Sequence, residues 1–500
     1  MTQFLAQLPV LPIIIPLIAA PLTMLLPARA LKGRIPCLFA TLVSWIAFAA
    51  SAAILHSVAT AGPISYHMGD FAPPIGIEYR IDLANALVLT LVSGVAALAF
   101  PFSYASIRAE IDDHQLSMFY AMALIAMVGL LGVVITGDAF NVFVFVEISS
   151  LSTYALVALG ARRDRRALTA SFNYLVMGTI GATFFVIGLG LLYQATGTLN
   201  MADLKIQLAG RDNPMVEAGF AFILVGMGLK AAMFPMHLWM PNAYAHAPSA
   251  VAVFLAATST KVAVYVIIRF TYTVIGADFD FAGAAFEYLI APLAVMGMFF
   301  ASIVAIFQDN LKRMLAYSSV GQIGYMLLGI SFGTEQGLAA SLVHLFNHGL
   351  MKGALFMAAA AVAFRVGSET CDGFRGLARR MPWTAAAFII AALSLVGVPG
   401  TIGFISKWQL LSAAFDSGRA WAGFLIVASS LLSVIYMGRV VELMTLAPAP
   451  DASAAVREAP LSMLVPMAIL VAANIYFGLS TELTVDLAER AATSLMGAAR

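Results

Sequence analysis

Residues Gly219–Arg269 read GFAFILVGMGLKAAMFPMHLWMPNAYAHAPSAVAVFLAATSTKVAVYVIIR. Two apolar runs in this stretch carry one lysine each, Lys230 and Lys261. Between them lies a break rich in proline and histidine: Pro235, His237, Pro241, His246 and Pro248. A lysine at the centre of an apolar span costs about 3 kcal/mol on insertion scales and more in simulations. Two of them in neighbouring runs point to ionisable groups used inside a membrane.

The whole chain agrees with a membrane setting. Of its 500 residues, 61% are hydrophobic and 11% charged, and mean hydropathy is +0.93. Soluble domains carry about 25% charged residues. A net charge of +1 gives no reason to expect nucleic acid as a partner. Two cysteines, Cys37 and Cys371, are too few for a disulfide framework, and no CxxC metal motif occurs. Ala28-Arg29-Ala30 looks like a signal-peptide cleavage site. No basic residue precedes the apolar run Pro9–Leu26, however, so that run reads as a first membrane helix.

About 20 apolar residues cross a 30 Å hydrocarbon core. Runs of that length predict an all-α polytopic protein with fourteen helices, near 4–26, 35–58, 81–105, 117–136, 139–160, 168–193, 217–241, 249–272, 286–307, 313–332, 338–364, 383–413, 419–444 and 460–479. Pro and Gly interrupt the seventh and twelfth runs, where broken helices are expected. Both carry a lysine near the break and lie five runs apart. That spacing predicts two five-helix units, 117–272 and 286–444, inverted relative to each other. Residues 1–116 supply three further helices, and 445–500 a last helix with a tail (481–500) polar enough for a short interfacial helix. Polar gaps at 59–80 and 194–216 are too short for a soluble domain.

Basic residues concentrate in odd-numbered loops: Arg29, Lys32 and Arg34; Arg162, Arg163, Arg165 and Arg166; Lys312 and Arg313; Arg375, Arg379 and Arg380. Even-numbered loops hold only scattered ones such as Lys205 and Arg211. The positive-inside rule then makes the odd loops cytoplasmic, with both termini on the other side of a cell (inner) membrane.

Five further groups sit deep in the runs. Asp138 is a good N-cap, and nine residues of 1.5 Å rise put Glu147 about 13 Å beyond it, near mid-membrane. Lys230 is its natural partner. A nearby carboxylate favours the charged lysine and burial disfavours it, so moving the glutamate would switch the lysine between holding and releasing a proton. A static ion pair is the blander reading. His344, His348 and Lys352 follow i, i+4, i+8 spacing, about 6 Å apart on one helix face, which suits a proton wire. A His pair at i, i+4 also suits zinc, but Leu345 excludes an HExxH site and no third ligand is evident. Lys407 lies two turns, roughly 10 Å, beyond Val398-Pro399-Gly400. It is either a mid-membrane group or a lysine snorkelling outward beside Trp408. His237 and His246 are candidates to relay protons or to cap freed backbone groups. Hydroxyl residues such as Ser150, Tyr154, Ser318 and Tyr325 are given no role. Asp82 and Asp138 are weak candidates for sodium ligands, with capping favoured. No nucleotide, flavin, haem or iron–sulfur motif occurs, so no cofactor is expected.

The residues quoted above resemble the antiporter-like subunits shared by respiratory complex I, membrane-bound hydrogenases and Mrp-type multisubunit Na+/H+ antiporters. FPMHLWMPNAYAHAPS (234–249), followed by Lys261, and QDNLKRMLAYSSVGQIGYMLLGI (308–330) carry the resemblance. ITGDAFNVFVFVEISSLSTYALVALG (135–160), ATGTLNMADL (195–204) and GDFAPPIGIEYRIDLANAL (69–87) look most like the D-type subunit of Mrp antiporters. The His237/His246 pattern is closer to complex I and hydrogenase subunits. The resemblance implies work inside a multisubunit membrane complex handling H+ and Na+ (or K+). It makes Glu147 and Lys230 a modulating pair, Lys261 and the His344/His348/Lys352 group a relay, and Lys407 the terminal proton site. The competing implications are a proton-pumping subunit of an NADH:quinone oxidoreductase or hydrogenase, and a purely structural subunit.

Overall fold

A computed structural model describes residues 7–27, 33–210, 213–449 and 456–497. Among these, eleven helices are long and apolar enough to cross a membrane. In chain order, α1 (Leu11–Leu25) and α2 (Arg34–Ala61) lead into a β-hairpin, β1 (Ile64–His67) and β2 (Glu78–Ile81). Then come α3 (Leu83–Glu110), α4 (Leu116–Ile135), α5 (Ala139–Ala158), α6 (Arg166–Thr196) and a short α7 (Met201–Leu208). The broken seventh run gives α8 (Pro214–Lys230) and α9 (Trp239–His246), and the eighth gives α10 (Ser249–Ala257) and α11 (Ser259–Arg269). The second half holds α12 (Ala291–Ile306), α13 (Leu311–Ser331), α14 (Glu335–Val366), α15 (Pro382–Val396), α16 (Ile402–Asp416) and α17 (Ala420–Thr445). α18 (Leu461–Leu479) and α19 (Glu482–Gly497) follow. The polytopic helical class is as the hydropathy pattern predicts, and every one of the fourteen runs holds helix. The runs at 217–241, 313–332 and 383–413 are not among the eleven. Two are broken, and α13 is rich in polar residues.

The structure amends the sequence reading in two places. The gap 59–80 is not featureless: β1 and β2 pair antiparallel, Ile64 with Ile81 and His67 with Glu78. The eighth run is not one helix. Thr258 (φ −125°, ψ −58°) interrupts it, and nothing but a threonine marks the spot in the sequence. Ala28–Ala30 with Arg29, Lys32 and Arg211 lie outside the described residues.

α14 is the axis of the molecule. Every residue from Gly337 to Ala363 is buried, and the helix packs against α3, α10, α13, α15, α16, α18 and α19. Lipid tails are as apolar as leucine, so membrane helices associate through close packing of small residues. α14 supplies them at Gly349, Gly353 and Ala358–Ala361. The same device sets α6 against α8. A Cβ on Gly226 would stand 2.5 Å from the Gly181 carbonyl, and one on Gly188 2.5 Å from the Gly219 carbonyl.

The hairpin has a positioning task. Gly137 N donates to the Glu78 carbonyl (2.8 Å), and the Glu78 carboxylate accepts from Ser65 Oγ (2.6 Å) and Asn200 Nδ2 (3.0 Å). Hairpin and α7 together clasp the α4–α5 turn, fixing where α5 begins.

Candidate functional site

α5 starts where Asp138 caps it, accepting from Asn141 N at 2.7 Å. Two and a half turns on, Glu147, Ser150 and Tyr154 share one face at i, i+3, i+7. Lys230, the last residue of α8, reaches that face. Its ammonium lies 3.7 Å from Glu147 Oε1, donates to Ser150 Oγ (2.7 Å) and Tyr154 OH (3.3 Å), and sits 5.9 Å from the Tyr154 ring centroid. Glu147 Oε1 is buried and accepts no hydrogen bond among the described residues. The carboxylate therefore neutralises the lysine without being locked to it, while two neutral hydroxyls hold the ammonium in place. The partnership of Glu147 with Lys230 follows the sequence expectation. Ser150 and Tyr154, given no role from the sequence, are the hydroxyls that hold the ammonium.

The break after Lys230 leaves helix-end carbonyls to be satisfied. Trp239 Nε1 takes one, donating to Leu229 O at 3.0 Å. A cavity of about 30 Å³ runs from Lys230 past Ser149, Thr153 and Ser259 to Val262. That is room for about two waters, on a path between Lys230 and α11.

Lys261 is fully buried on α11. Its ammonium donates back across the Thr258 interruption to the Ala256 carbonyl and to Thr260 Oγ1 at 3.3 Å. On α14, the His344 and His348 rings lie parallel with centroids 6.1 Å apart. His344 Nδ1 meets Ser406 Oγ at 2.8 Å. Its Nε2, and both nitrogens of His348, are buried without a hydrogen-bond partner among the described residues. Lys352 turns away from this line toward α13, donating to Leu315 O (2.8 Å) and Ser318 Oγ. The three groups share a helix face as their spacing predicts, but only the two histidines stack.

The second break, between Gly397 (φ 94°) and Gly400 (φ 85°), joins α15 to α16. Lys407 reaches back across it. Its ammonium donates to the end carbonyls of α15, Leu395 O and Val396 O, both at 2.9 Å, and to Ser430 Oγ at 2.8 Å. A cation at a helix C-terminus is favoured by the helix dipole. The side chain is buried, so it does not snorkel, while Trp408 beside it is 59% exposed. The Tyr325 ring centroid lies 5.3 Å from the Lys407 ammonium and 5.6 Å from the His344 ring, placing Tyr325 between the two. Among the described residues no carboxylate lies within 4 Å of Lys407. In this respect it differs from Lys230.

The two histidines of the seventh run part company. His237 is buried in the break, stacked on Phe234 (5.4 Å) and edge-on to Tyr317 (6.1 Å). His246 sits at the far end of α9, with Nδ1 3.2 Å from Asp164 Oδ2. It opens on a cavity of about 420 Å³ lined by Glu110, Arg163, Asp164, Arg166 and Glu369 among others. Hydrogen bonds from Arg166 hold the half-buried Asp164 carboxyl down to about 2. Burial alone would raise the Glu369 carboxyl, but Lys312 and Arg163, each 2.7 Å away, outweigh it and hold it below its usual range. A carboxyl depressed in the folded state stabilises fully above its unfolded pKa, about 4.3, and loses that contribution as pH falls through the folded value. The protection factor of the Leu311 amide, whose N–H bonds the Glu369 carbonyl, is therefore expected to stay flat from pH 7 to 5, once the intrinsic pH dependence of exchange is divided out, and to fall only under stronger acid. Glu369→Gln should remove that acid step. An unchanged profile in the variant would show that Glu369 does not govern it.

Asp82 and Asp138 both serve as caps. Asp82 forms a reciprocal capping box with Asn85 and a bidentate pair with Arg269, at 2.6 and 2.9 Å. That pair, buried at the end of α11, was not anticipated. Its partners stand 187 residues apart.

Residues 136–435 match the NADH:quinone oxidoreductase/Mrp antiporter transmembrane family. The N-type subunit of the NADH-quinone oxidoreductase of Desulforudis audaxviator (strain MP104C) is 40% identical, over 95% of this chain and 96% of that protein. The D-type subunit of the Na(+)/H(+) antiporter of Bacillus subtilis (strain 168) is 29% identical over 97% of each. A chain of the Mrp complex from Dietzia sp. DQ12-45-1b superposes with a TM-score of 0.90 at 26% identity, over 98% of this chain and 97% of that one. The relatives are thus subunits of both ion-exchanging and redox complexes, and both kinds match nearly end to end. With its helices, its interrupted runs and its buried lysines in place, the chain is a multi-pass membrane protein that belongs to the NADH:quinone oxidoreductase/Mrp antiporter family.

Proposed function

We propose that this chain is the proton-conducting subunit of a multisubunit membrane complex, with Glu147 and Lys230 as its modulating pair. The observation that carries the reading is the loose contact of these two groups: 3.7 Å of separation, with the ammonium's short hydrogen bond going to Ser150. A pair held this way can open without leaving the lysine unsolvated. Lys261 and His348 then pass the proton on, His344 hands it by way of Tyr325 and Ser406, and Lys407 is the terminal site. Lys352 tunes the field around His348, within whose electrostatic reach it lies. His246 faces the intake cavity and His237 lines the break. In this reading 117–272 and 286–444 act as two inverted units, and the His246 cavity faces the cytoplasm.

What drives the protons divides two versions. A monovalent cation (Na+) antiporter is favoured by the end-to-end match to the D-type subunit of an antiporter. A redox-driven pump, with its redox centres on other subunits, is favoured by the higher identity to the N-type subunit of a quinone oxidoreductase. Neighbouring genes for small antiporter subunits would support the first, and genes for iron–sulfur, flavin or nickel subunits the second. The direct test uses inverted vesicles holding the complete complex. Glu147→Gln keeps the shape and removes the charge, and it is expected to slow proton translocation at least tenfold with assembly intact. Translocation at the wild-type rate would sink the modulating role.

A further inference from the structure

The eighth run is anchored at both ends and broken in the middle. At its start, the Glu110 carboxylate accepts from Ser249 N at 2.6 Å, tying α10 to the end of α3. At its finish, Arg269 is clamped to Asp82. Between these anchors the helical ladder skips at Thr258. Lys261 N bonds the Thr258 carbonyl (3.0 Å) instead of the Ala257 carbonyl four residues back. Two carbonyls are released from the ladder as a result. Lys261's own ammonium takes that of Ala256. The Ala257 carbonyl faces α14 at Gly349, where an added Cβ would stand 3.0 Å from it. Gly349 follows directly on His348, whose two ring nitrogens are buried without partners among the described residues.

Each of these features has a local physical cause. Thr258 Oγ1 donates to Phe254 O at 2.6 Å, the side-chain back-bond to the i−4 carbonyl that bends helices. A side chain on residue 349 would push α10 away from α14, since backbone cannot yield as a flexible side chain can. We infer that Thr258 and Gly349 are positioning residues for the step between Lys261 and His348. Thr258 releases the carbonyl that holds the Lys261 ammonium, and Gly349 lets the broken segment lie directly against the His348 turn. The inference rests on the proton path proposed above and assigns it two residues that carry no ionisable group.

Four variants test it in vesicles containing the complete complex, with assembly followed by co-purification of the other subunits. Thr258→Ala removes the back-bond and substitutes a strong helix former. The ladder then closes, Thr260 N–H recovers the Ala256 carbonyl, and proton translocation falls at least tenfold. Thr258→Ser keeps the hydroxyl and restores at least half of the wild-type rate. Gly349→Ala lowers the rate by a similar factor. Its new Cβ also meets the Leu91 side chain at 2.8 Å, so Gly349→Ala with Leu91→Ala removes that clash and leaves the one with Ala257. The double variant stays slow. The inference is overturned if Thr258→Ala and Gly349→Ala both translocate at the wild-type rate, if Thr258→Ser is no better than Thr258→Ala, or if Leu91→Ala rescues Gly349→Ala. If Gly349→Ala fails to assemble, the Thr258 pair decides alone. Lys261→Ala in the same series separates the two levels. Loss of translocation there, with both positioning variants fully active, refutes only the positioning role. Full activity of Lys261→Ala refutes the proton path beneath it.

Discussion

Lys230→Ala is expected to reduce proton translocation to the background of vesicles lacking the complex, a loss of more than a hundredfold. Among the described residues the ammonium is the one cation within reach of Glu147, and it borders the cavity leading toward α11. Without it, the proposed path loses its carrier between α5 and the buried lysine beyond. Alanine also strips the counter-charge from Glu147. Breaking a buried pair costs about 3–5 kcal/mol, and less here, because a quarter of the glutamate side chain remains exposed. Arginine separates the two effects. Lys230→Arg keeps a cation beside Glu147 but cannot release its proton near neutral pH. The arginine variant should therefore assemble and melt like wild type while translocating no better than alanine. An arginine variant that translocates normally would mean that Lys230 is a structural counter-ion and not a carrier.

Asp82→Ala is expected to be the most destabilising single change outside the proposed proton path, at about 3–5 kcal/mol. Arg269 is 9% exposed at its side chain, and its guanidinium also bonds Tyr265 OH (2.9 Å) and Thr273 Oγ1 (3.1 Å). Those neutral acceptors do not balance its charge. Removing Asp82 would leave the guanidinium buried and unpaired, and would delete the cap of α3, worth about 1 kcal/mol. The detergent-solubilised complex should lose this subunit at markedly lower temperature. Asp82→Ala with Arg269→Met replaces the pair by apolar side chains and should recover most of the loss, because the penalty belongs to the orphaned charge. A double variant no more stable than the single would mean that the cap, and not the ion pair, is what matters.

What the sequence discloses depends on how far apart the cooperating residues stand. Hydropathy and the proline breaks place the helices, because span length is a local property of the chain. Glu147 and Lys230 can be paired before any coordinates exist, since a bare carboxylate in an apolar run demands a cation. His344 and His348 reveal themselves by four-residue spacing. Ser430 and Tyr325 around Lys407, Ser406 beside His344 and Asp82 under Arg269 come from other helices, and hydroxyls are common in membrane helices for reasons unrelated to function. The kink at Thr258 escapes for a different reason. It is produced by one hydroxyl and by the packing of α14 against it, and no proline or glycine announces it. The hairpin is hidden because its strands are only four residues each, flanking a ten-residue proline- and glycine-containing loop too long to announce a tight turn.

The complete enclosure of α14 bears on how the protein is made. Its neighbours α3, α10 and α13 are synthesised before it, and α15, α16, α18 and α19 after it. A ribosome delivers the helices in that order. Until residues 461–497 have emerged, the flank of α14 that they cover, toward Gly353 and Glu335, must face lipid, insertion machinery or an assembly factor. The same helix carries His344, His348 and Lys352. Biogenesis of this protein therefore includes an interval in which a core helix bearing three ionisable side chains is only partly wrapped, and chains stalled in that interval would be natural targets for membrane quality control.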